Sequence, residues 1–228
     1  MSVLEARALA RTVDISCVRA THTEQDVRRL AAEATRWEFI NAHVLPSWVP
    51  LLRELLEGTH TLVGSPVGFP SGGASTASKA AEARHLLVDG VQEMDVVMNI
   101  GRFLSGDIRY VTTELETIIG EVRGKVPVKV IIETSFLTEP QIRTASELAA
   151  AAGADFVKTG TGWAGPATAE AVLAIAESIP PHVQIKAAGG IRTLAQLRLL
   201  QAAGATRFGV GAQAALDLVR EAEGGEAL

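Results

Sequence analysis

The chain has 228 residues, 47% of them hydrophobic and 21% charged, which is enough apolar sequence for one sizeable core and excludes a low-complexity chain. A formal net charge of -5, with lysines and arginines dispersed rather than gathered in a stripe, argues against nucleic acid or a membrane surface as the main partner and leaves small molecules. Cys17 is the single cysteine, so no intrachain disulfide framework is available; neither a secretory leader pattern nor a long uncharged apolar run occurs, and a cytoplasmic location is expected.

Short β-branched or apolar runs alternate with helical patterns along the whole chain. The first strand is expected over Thr12 to Ser16, with a helix over 23–36, and the second over Glu38 to Val44, with a helix over 46–58. Strands at Thr61 to Val67 and Glu93 to Ile100 are followed by helices over 75–90 and 107–124. Strands at Val128 to Thr134 and Asp155 to Thr159 precede helices over 138–153 and 167–179. The last two units pair Gln184 to Ala188 with 193–204, and Arg207 to Val210 with 212–224. Several of these helices open at Ser, Thr or Asp and close at Gly, as caps require. Eight alternating units with no leftover segment imply a parallel sheet closed as a (β/α)8 TIM barrel, one domain over 1–228, with a short disordered tail expected from about 221. A doubly wound open sheet is the alternative, but no Gly-x-Gly-x-x-Gly opens a helix after the first strand.

Side chains alternate along a strand, so parity separates residues facing the barrel axis from those facing the helices. On the fourth strand Met94, Val96, Met98 and Ile100 form the apolar face toward the helices, which turns Asp95, Val97 and Asn99 inward. The same rule turns inward Asp14 and Ser16; Phe39, Asn41 and His43; Lys129, Ile131 and Glu133; and the two lysines Lys158 and Lys186. Three acids and three lysines in one interior are costly unless paired, and a packed barrel core needs only Val, Ile and Leu. A functional cluster at the C-terminal strand ends is the better reading, with a structural ion network as its rival. Glu133 and Lys129, two positions apart, are expected to pair.

Lys158 in DFVKTGTG and Lys186 in QIKAAGG each stand near a strand end before glycines. A lysine is almost fully protonated at neutral pH, so carbonyl chemistry requires desolvation or a neighbouring cation to lower its pKa. Each lysine of this pair is placed to do that for the other. Glycines Gly189 and Gly190 follow the seventh strand and Gly209 and Gly211 mark the eighth, where this fold frequently holds phosphate on backbone N–H groups; Arg192 adds a nearby charge. The histidines His22, His60, His85 and His182 fall in helical or loop segments, and no His or Cys pair has ligand spacing on one strand, so no metal is expected. His43 faces inward, where it is placed either as an acid, base or hydroxyl partner or as a packed, satisfied ring.

The segments GFPSGGASTASKAAEA at 68–83, EMDVVMNIG at 93–101, VKVIIET at 128–134, DFVKTGTG at 155–162 and IKAAGGIRT at 185–193 together resemble the deoxyribose-phosphate aldolases, Schiff-base aldolases built on a βα barrel. The resemblance implies that Lys158 forms the imine, Lys186 is the neighbouring ammonium, and Asp95 relays protons through water, with Asp14 the first-strand aspartate. Ser16, His43, Lys129, Glu133, Thr159 and Thr161 become substrate or supporting residues, and Gly162 joins Gly189, Gly190, Arg192, Gly209 and Gly211 around phosphate. The implied reaction is reversible cleavage of 2-deoxyribose 5-phosphate to glyceraldehyde 3-phosphate and acetaldehyde, with no metal or organic cofactor; oligomeric state stays open, a homodimer being one alternative, since no helix shows an apolar outer stripe. The departures cluster at the substrate end. Ile15 and Ser16 stand where the family usually has His-Thr, His43 where it has cysteine, Leu45 where it has asparagine, Gly160 where it has serine, and Gly211 and Ala212 where it has two phosphate-binding serines. Besides the family's own reaction, two readings stay open: the same imine chemistry on another sugar phosphate or an unphosphorylated sugar, and a non-catalytic barrel that binds a sugar phosphate.

Overall fold

The computed structural model describes residues 3–224. In chain order the elements are α1 (Val3–Ala10), β1 (Val13–Cys17), α2 (Glu24–Trp37), β2 (Asn41–Val44), α3 (Val49–Leu55), β3 (Leu62–Val67), α4 (Thr76–Val88), β4 (Glu93–Val97), α5 (Ile100–Leu104) and α6 (Ile108–Val122). There follow β5 (Val128–Ile131), α7 (Glu139–Ala152), β6 (Phe156–Lys158), α8 (Ala169–Ala176), β7 (Gln184–Ala188), α9 (Leu194–Ala202), β8 (Arg207–Gly211) and α10 (Ala212–Glu223). The eight strands are all parallel and close in sequence order, β8 pairing with β1 through Val13–Phe208, Asp14–Gly209, Ile15–Val210 and Ser16–Gly211. The open sheet is thereby excluded.

Closure buries both faces of the strands. Val13, Ile15, Val63, Met94, Val96, Val128, Val130, Val157, Ile185 and Phe208 are essentially inaccessible and belong to the core packed beneath the helices. Each methylene so buried contributes about 0.8 kcal/mol of transfer free energy, which makes this shell the main source of stability. Local chemistry sets the helix ends. Thr23 with Asp26, Thr138 with Gln141 and Thr193 with Gln196 form capping boxes that satisfy otherwise orphaned N–H groups, and Gly153 closes α7 at φ 97°.

Three expectations are corrected. An N-terminal helix, α1, precedes the first strand and packs on α10, so a segment is left over after eight units; VLEARALA is too short and too rich in alanine to show a periodic apolar face. Several strands end earlier than their apolar runs. β4 stops at Val97 because Asn99 caps α5, its Oδ1 accepting from Arg102 N–H, so Asn99 does not join the inward row. β5 stops at Ile131, and Glu133 takes a left-handed conformation at φ 55°. Finally, α10 continues through Glu223 with Ala222 buried and Glu221 accepting from Leu194 N–H, past the expected start of the tail at 221; residues 225–228 lie outside the described residues. Among the described residues no helix is long and apolar enough to cross a membrane.

Candidate active site

One carboxylate oxygen organises the centre of the barrel. Asp95 Oδ2, on β4, accepts from Lys158 Nζ of β6 at 2.7 Å and from Lys186 Nζ of β7 at 2.6 Å. Strand register makes this unavoidable: Lys158 and Lys186 are direct neighbours on paired strands, so both inward side chains converge on the same point. Lys186 also bridges to Asp14 Oδ2 on β1. Lys129, on β5, lies 3.4 Å from Asp95 Oδ1 and 2.6 Å from Glu93 Oε2. Arg207, on β8, completes the ring by donating to Asp14 Oδ1 at 2.8 Å and Glu93 Oε1 at 3.0 Å. Phe156 forms an apolar floor, its ring 5.6 Å from both Lys129 Nζ and Arg207 Cζ.

The predicted inward cluster is therefore real, but its membership differs. Glu93 and Arg207 belong to it and were not foreseen. Parity carried one step back from Asp95 reaches Glu93, and Arg207 shares the face of Gly209, so the signal was present for both. Glu133 does not belong, and its expected pairing with Lys129 is absent. The left-handed turn at Glu133 swings its carboxylate to the loop after β6, where it accepts from Thr161 N–H and, at 2.6 Å, from the Thr161 hydroxyl. Gly160 makes this approach possible, since a Cβ there would stand 2.5 Å from Glu133 Oε1.

Charge and burial act together on Lys158. Burial pushes its pKa down most, the Lys186 ammonium pushes the same way, Asp95 opposes them, and the balance is a fall to about 8. Asp95 is fully buried, yet the ammonium groups of Lys158, Lys186 and Lys129 outweigh burial and hold its carboxyl well below the usual range. Asp14 is likewise held low by Lys186, Lys129 and Arg207 against its burial. Lys129 is raised despite burial, because Asp95, Asp14 and Glu93 surround it. The four cations Lys129, Lys158, Lys186 and Arg207 face three carboxylates, Asp14, Glu93 and Asp95, so the cluster is neutral when Lys158 sheds its proton.

His43, on β2, accompanies the cluster. Its Nδ1 is 2.8 Å from Asn41 Oδ1, and its Nε2 is 3.5 Å from Asp95 Oδ2. Burial pushes its pKa down to about 3, leaving a neutral ring. Asp14, His43 and Asp95 also bring donor atoms within 4.8 Å of one another, but the carboxylate oxygens face the ammonium groups of Lys186 and Lys158, and this donor set fits a metal cation poorly.

Above the cluster opens a cavity of about 680 Å³ at the C-terminal ends of the strands. Asp14, Ser16, His43, Lys158, Thr161, Gly162, Lys186, Gly189, Gly190, Arg192, Gly209 and Gly211 all line it. Ser16 donates to Val210 O. Thr159 does not line it: its hydroxyl donates to Ala188 O and accepts from Ala188 N–H, stitching β6 to β7. At Gly209 a Cβ would stand 2.9 Å from Ala188 Cβ and 3.1 Å from Lys186 Cε, so a side chain there would crowd β7 and the lysine. Gly211 is the N-cap of α10, and a Cβ on it meets nothing within 4 Å. Across the mouth, Trp163 from the loop after β6 stacks edge-to-face on Phe69 at 5.7 Å, with Arg19 from the loop after β1 4.9 Å above the indole. Sequence reading passed over this rim.

A family model for the DeoC/LacD family aldolases matches residues 19–216. The chain belongs to that family. A deoxyribose-phosphate aldolase from Sinorhizobium medicae is 52% identical over 220 residues, covering 96% of this chain and 88% of that protein. Among solved structures, a putative deoxyribose-phosphate aldolase from Coccidioides immitis superposes with a TM-score of 0.90 at 32% identity, over 95% of this chain and 86% of that one. A deoxyribose phosphate aldolase from Aeropyrum pernix, described as tetrameric, gives 0.86 at 30% identity, over 95% and 91%.

Proposed function

We propose that this DeoC/LacD family aldolase cleaves 2-deoxyribose 5-phosphate reversibly to glyceraldehyde 3-phosphate and acetaldehyde through an imine on Lys158. The observation that carries the reading is the convergence of Lys158 and Lys186 on one oxygen of Asp95 in a buried pocket, with Lys158 lowered to about 8. Lys158 passes a proton to Asp95, and the freed amine attacks the sugar carbonyl to give a carbinolamine. Asp95 returns the proton to the carbinolamine hydroxyl, which leaves as water, so the net change is ammonium plus carbonyl to iminium plus water. The iminium then takes up the electron pair of the carbon–carbon bond being broken as a base removes the proton of the adjacent hydroxyl. Lys186 keeps its charge throughout and favours the neutral amine. Gly162, Gly189, Gly190, Gly211 and the N-terminus of α10, with Arg192 alongside, form the phosphate-sized end of the pocket. Asp14, Arg207, Glu93 and Lys129 position the reacting trio.

A second reading keeps the imine and changes the aldehyde partner. It is favoured by Gly211 and Ala212, which offer no hydroxyl to a phosphate, and by His43 beside the reacting carboxylate. Borohydride trapping with peptide mass spectrometry, after incubation with the phosphorylated and the unphosphorylated sugar, tests both. A reduced adduct on Lys158 from the phosphate ester, with acetaldehyde release and its loss in Lys158→Ala, is expected; an adduct from the free sugar alone supports the second reading, and turnover that survives in Lys158→Ala sinks the mechanism. The cytoplasmic location and the homodimer belong to this reading too, and sedimentation measures the latter.

A further inference from the structure

The ring of His43 is held by a chain of donors with only one consistent polarity. Glu93 Oε2 is a carboxylate oxygen, so the Asn41 group 3.0 Å from it must be the NH₂, which donates. The other end of that amide, Oδ1, can then only accept, and the His43 nitrogen 2.8 Å away must be Nδ1–H. A neutral imidazole carries one ring proton, so Nε2 is left with a bare lone pair. Gly64 on β3 makes the arrangement possible, since a Cβ there would stand 2.1 Å from His43 Nδ1 and 2.5 Å from Asn41 Oδ1.

The bare Nε2 is buried, has no hydrogen-bond partner among the described residues, and sits 3.5 Å from an oxygen that itself only accepts. No protein donor stands between these two facing acceptors, and a buried unsatisfied acceptor at the edge of the cavity calls for one. The other polar groups converging here, the ammonium ends of Lys158 and Lys186, only donate. A hydroxyl on the carbon bonded to Lys158 Nζ is two bonds from a nitrogen 2.7 Å from Asp95 Oδ2, the same oxygen that His43 Nε2 approaches at 3.5 Å, and this shared oxygen brings the hydroxyl within reach of both groups.

We propose that His43, fixed as the Nδ1–H tautomer by Asn41 and Glu93, accepts the hydrogen bond of the carbinolamine hydroxyl on Lys158 while Asp95 returns the proton with which that oxygen leaves as water. His43 is thus a catalytic residue that never changes charge, and Asn41 is a positioning residue acting through it. The inference rests on the imine reading above and assigns the donor-rich pocket its neutral acceptor.

The test reads imine formation directly, by borohydride quench of single turnovers with 2-deoxyribose 5-phosphate. His43→Phe keeps a ring but no acceptor and is expected to slow adduct formation on Lys158 about tenfold, lowering kcat more than it raises KM. His43→Gln, with an amide oxygen to accept, is expected to recover most of that loss. Nitrogen-15 spectra of the unmodified protein are expected to show His43 Nε2 unprotonated, which needs no variant and stands if His43→Phe does not fold. Adduct formation undiminished in His43→Phe, a folded His43→Gln as slow as His43→Phe, or a protonated Nε2 each overturns the proposal. A wild-type chain that traps nothing on Lys158 overturns the aldolase reading and this inference with it, whereas a normal wild-type adduct with an indifferent His43→Phe overturns this inference alone.

Discussion

Lys158 and Lys186 are chemically identical and one strand apart, yet their surroundings divide the labour. Lys186 bridges two carboxylates, Asp14 and Asp95, whereas Lys158 pairs with Asp95 only and lies where the cavity opens. The less compensated lysine carries the lowered pKa. Lys186→Leu removes a like charge and leaves Lys158 as the one lysine on Asp95 Oδ2, and both changes raise the pKa of Lys158. On the proposed mechanism the reactive form is the neutral amine, so rate rises with pH through that pKa. The acid limb of imine formation is expected to move upward from about 8 by about one unit or more, read from the pH dependence of borohydride trapping. A limb that stays in place shows that desolvation alone tunes Lys158.

At the scale of elements, what matters is how strand ends are held at the right height. Behind β4, α4 and α6 contribute a fully buried pair: Lys79 Nζ donates to Glu114 at 3.0 Å and to Val97 O at 2.8 Å, while Glu114 accepts from Asn99 N–H at 2.9 Å. Both contacts grip the backbone just beyond Asp95. Burial pushes Lys79 down and Glu114 up, so each ion depends on the other. Lys79→Met is expected to destabilise by about 3–5 kcal/mol in urea unfolding, because it strands a buried carboxylate, and Lys79→Met/Glu114→Leu is expected to recover most of it. On β3, Gly64→Ala pushes a methyl into His43 and Asn41; a loss of about 1–3 kcal/mol together with slower imine formation is expected from unfolding and trapping measurements. Sequence alternation located all eight strands, because period-2 parity and helix caps are local signals, and that parity also turned Asp14, Asp95, Lys129, Lys158 and Lys186 inward. It overshot at Asn99 and Glu133, where a side-chain cap and a left-handed backbone end the strand, and neither event changes the apolar run that marks it. The Lys79–Glu114 grip and the Glu133–Thr161 anchor were illegible, since each joins helices or loops far apart in sequence.

For the whole molecule, the ionic interior links stability to pH. Asp14 and Asp95 have folded pKa values below the ordinary 3.8 of an unfolded aspartate, so they contribute stability that is fully present above that value and lost as pH falls from it through the lowered folded values. The Tm is expected to be nearly flat from about pH 5 to 7 and to fall steeply below about pH 4, and Asp14→Asn is expected to flatten the acid slope while lowering the plateau. A Tm that falls equally in both proteins assigns acid unfolding to the surface.

The division of charge around the barrel is not random. Asp14, Glu93 and Asp95 all come from β1 and β4, while Lys129, Lys158, Lys186 and Arg207 come one each from β5, β6, β7 and β8. The N-terminal hemisphere is lined with anions and the C-terminal hemisphere with cations, so each half alone repels itself and is neutralised only by the other. The proposed reaction centre is therefore a seam between two half-barrels, and on that reading the amine becomes reactive only once the seam has closed. Chemistry in this chain is a readout of complete assembly, with no strand's contribution held in reserve.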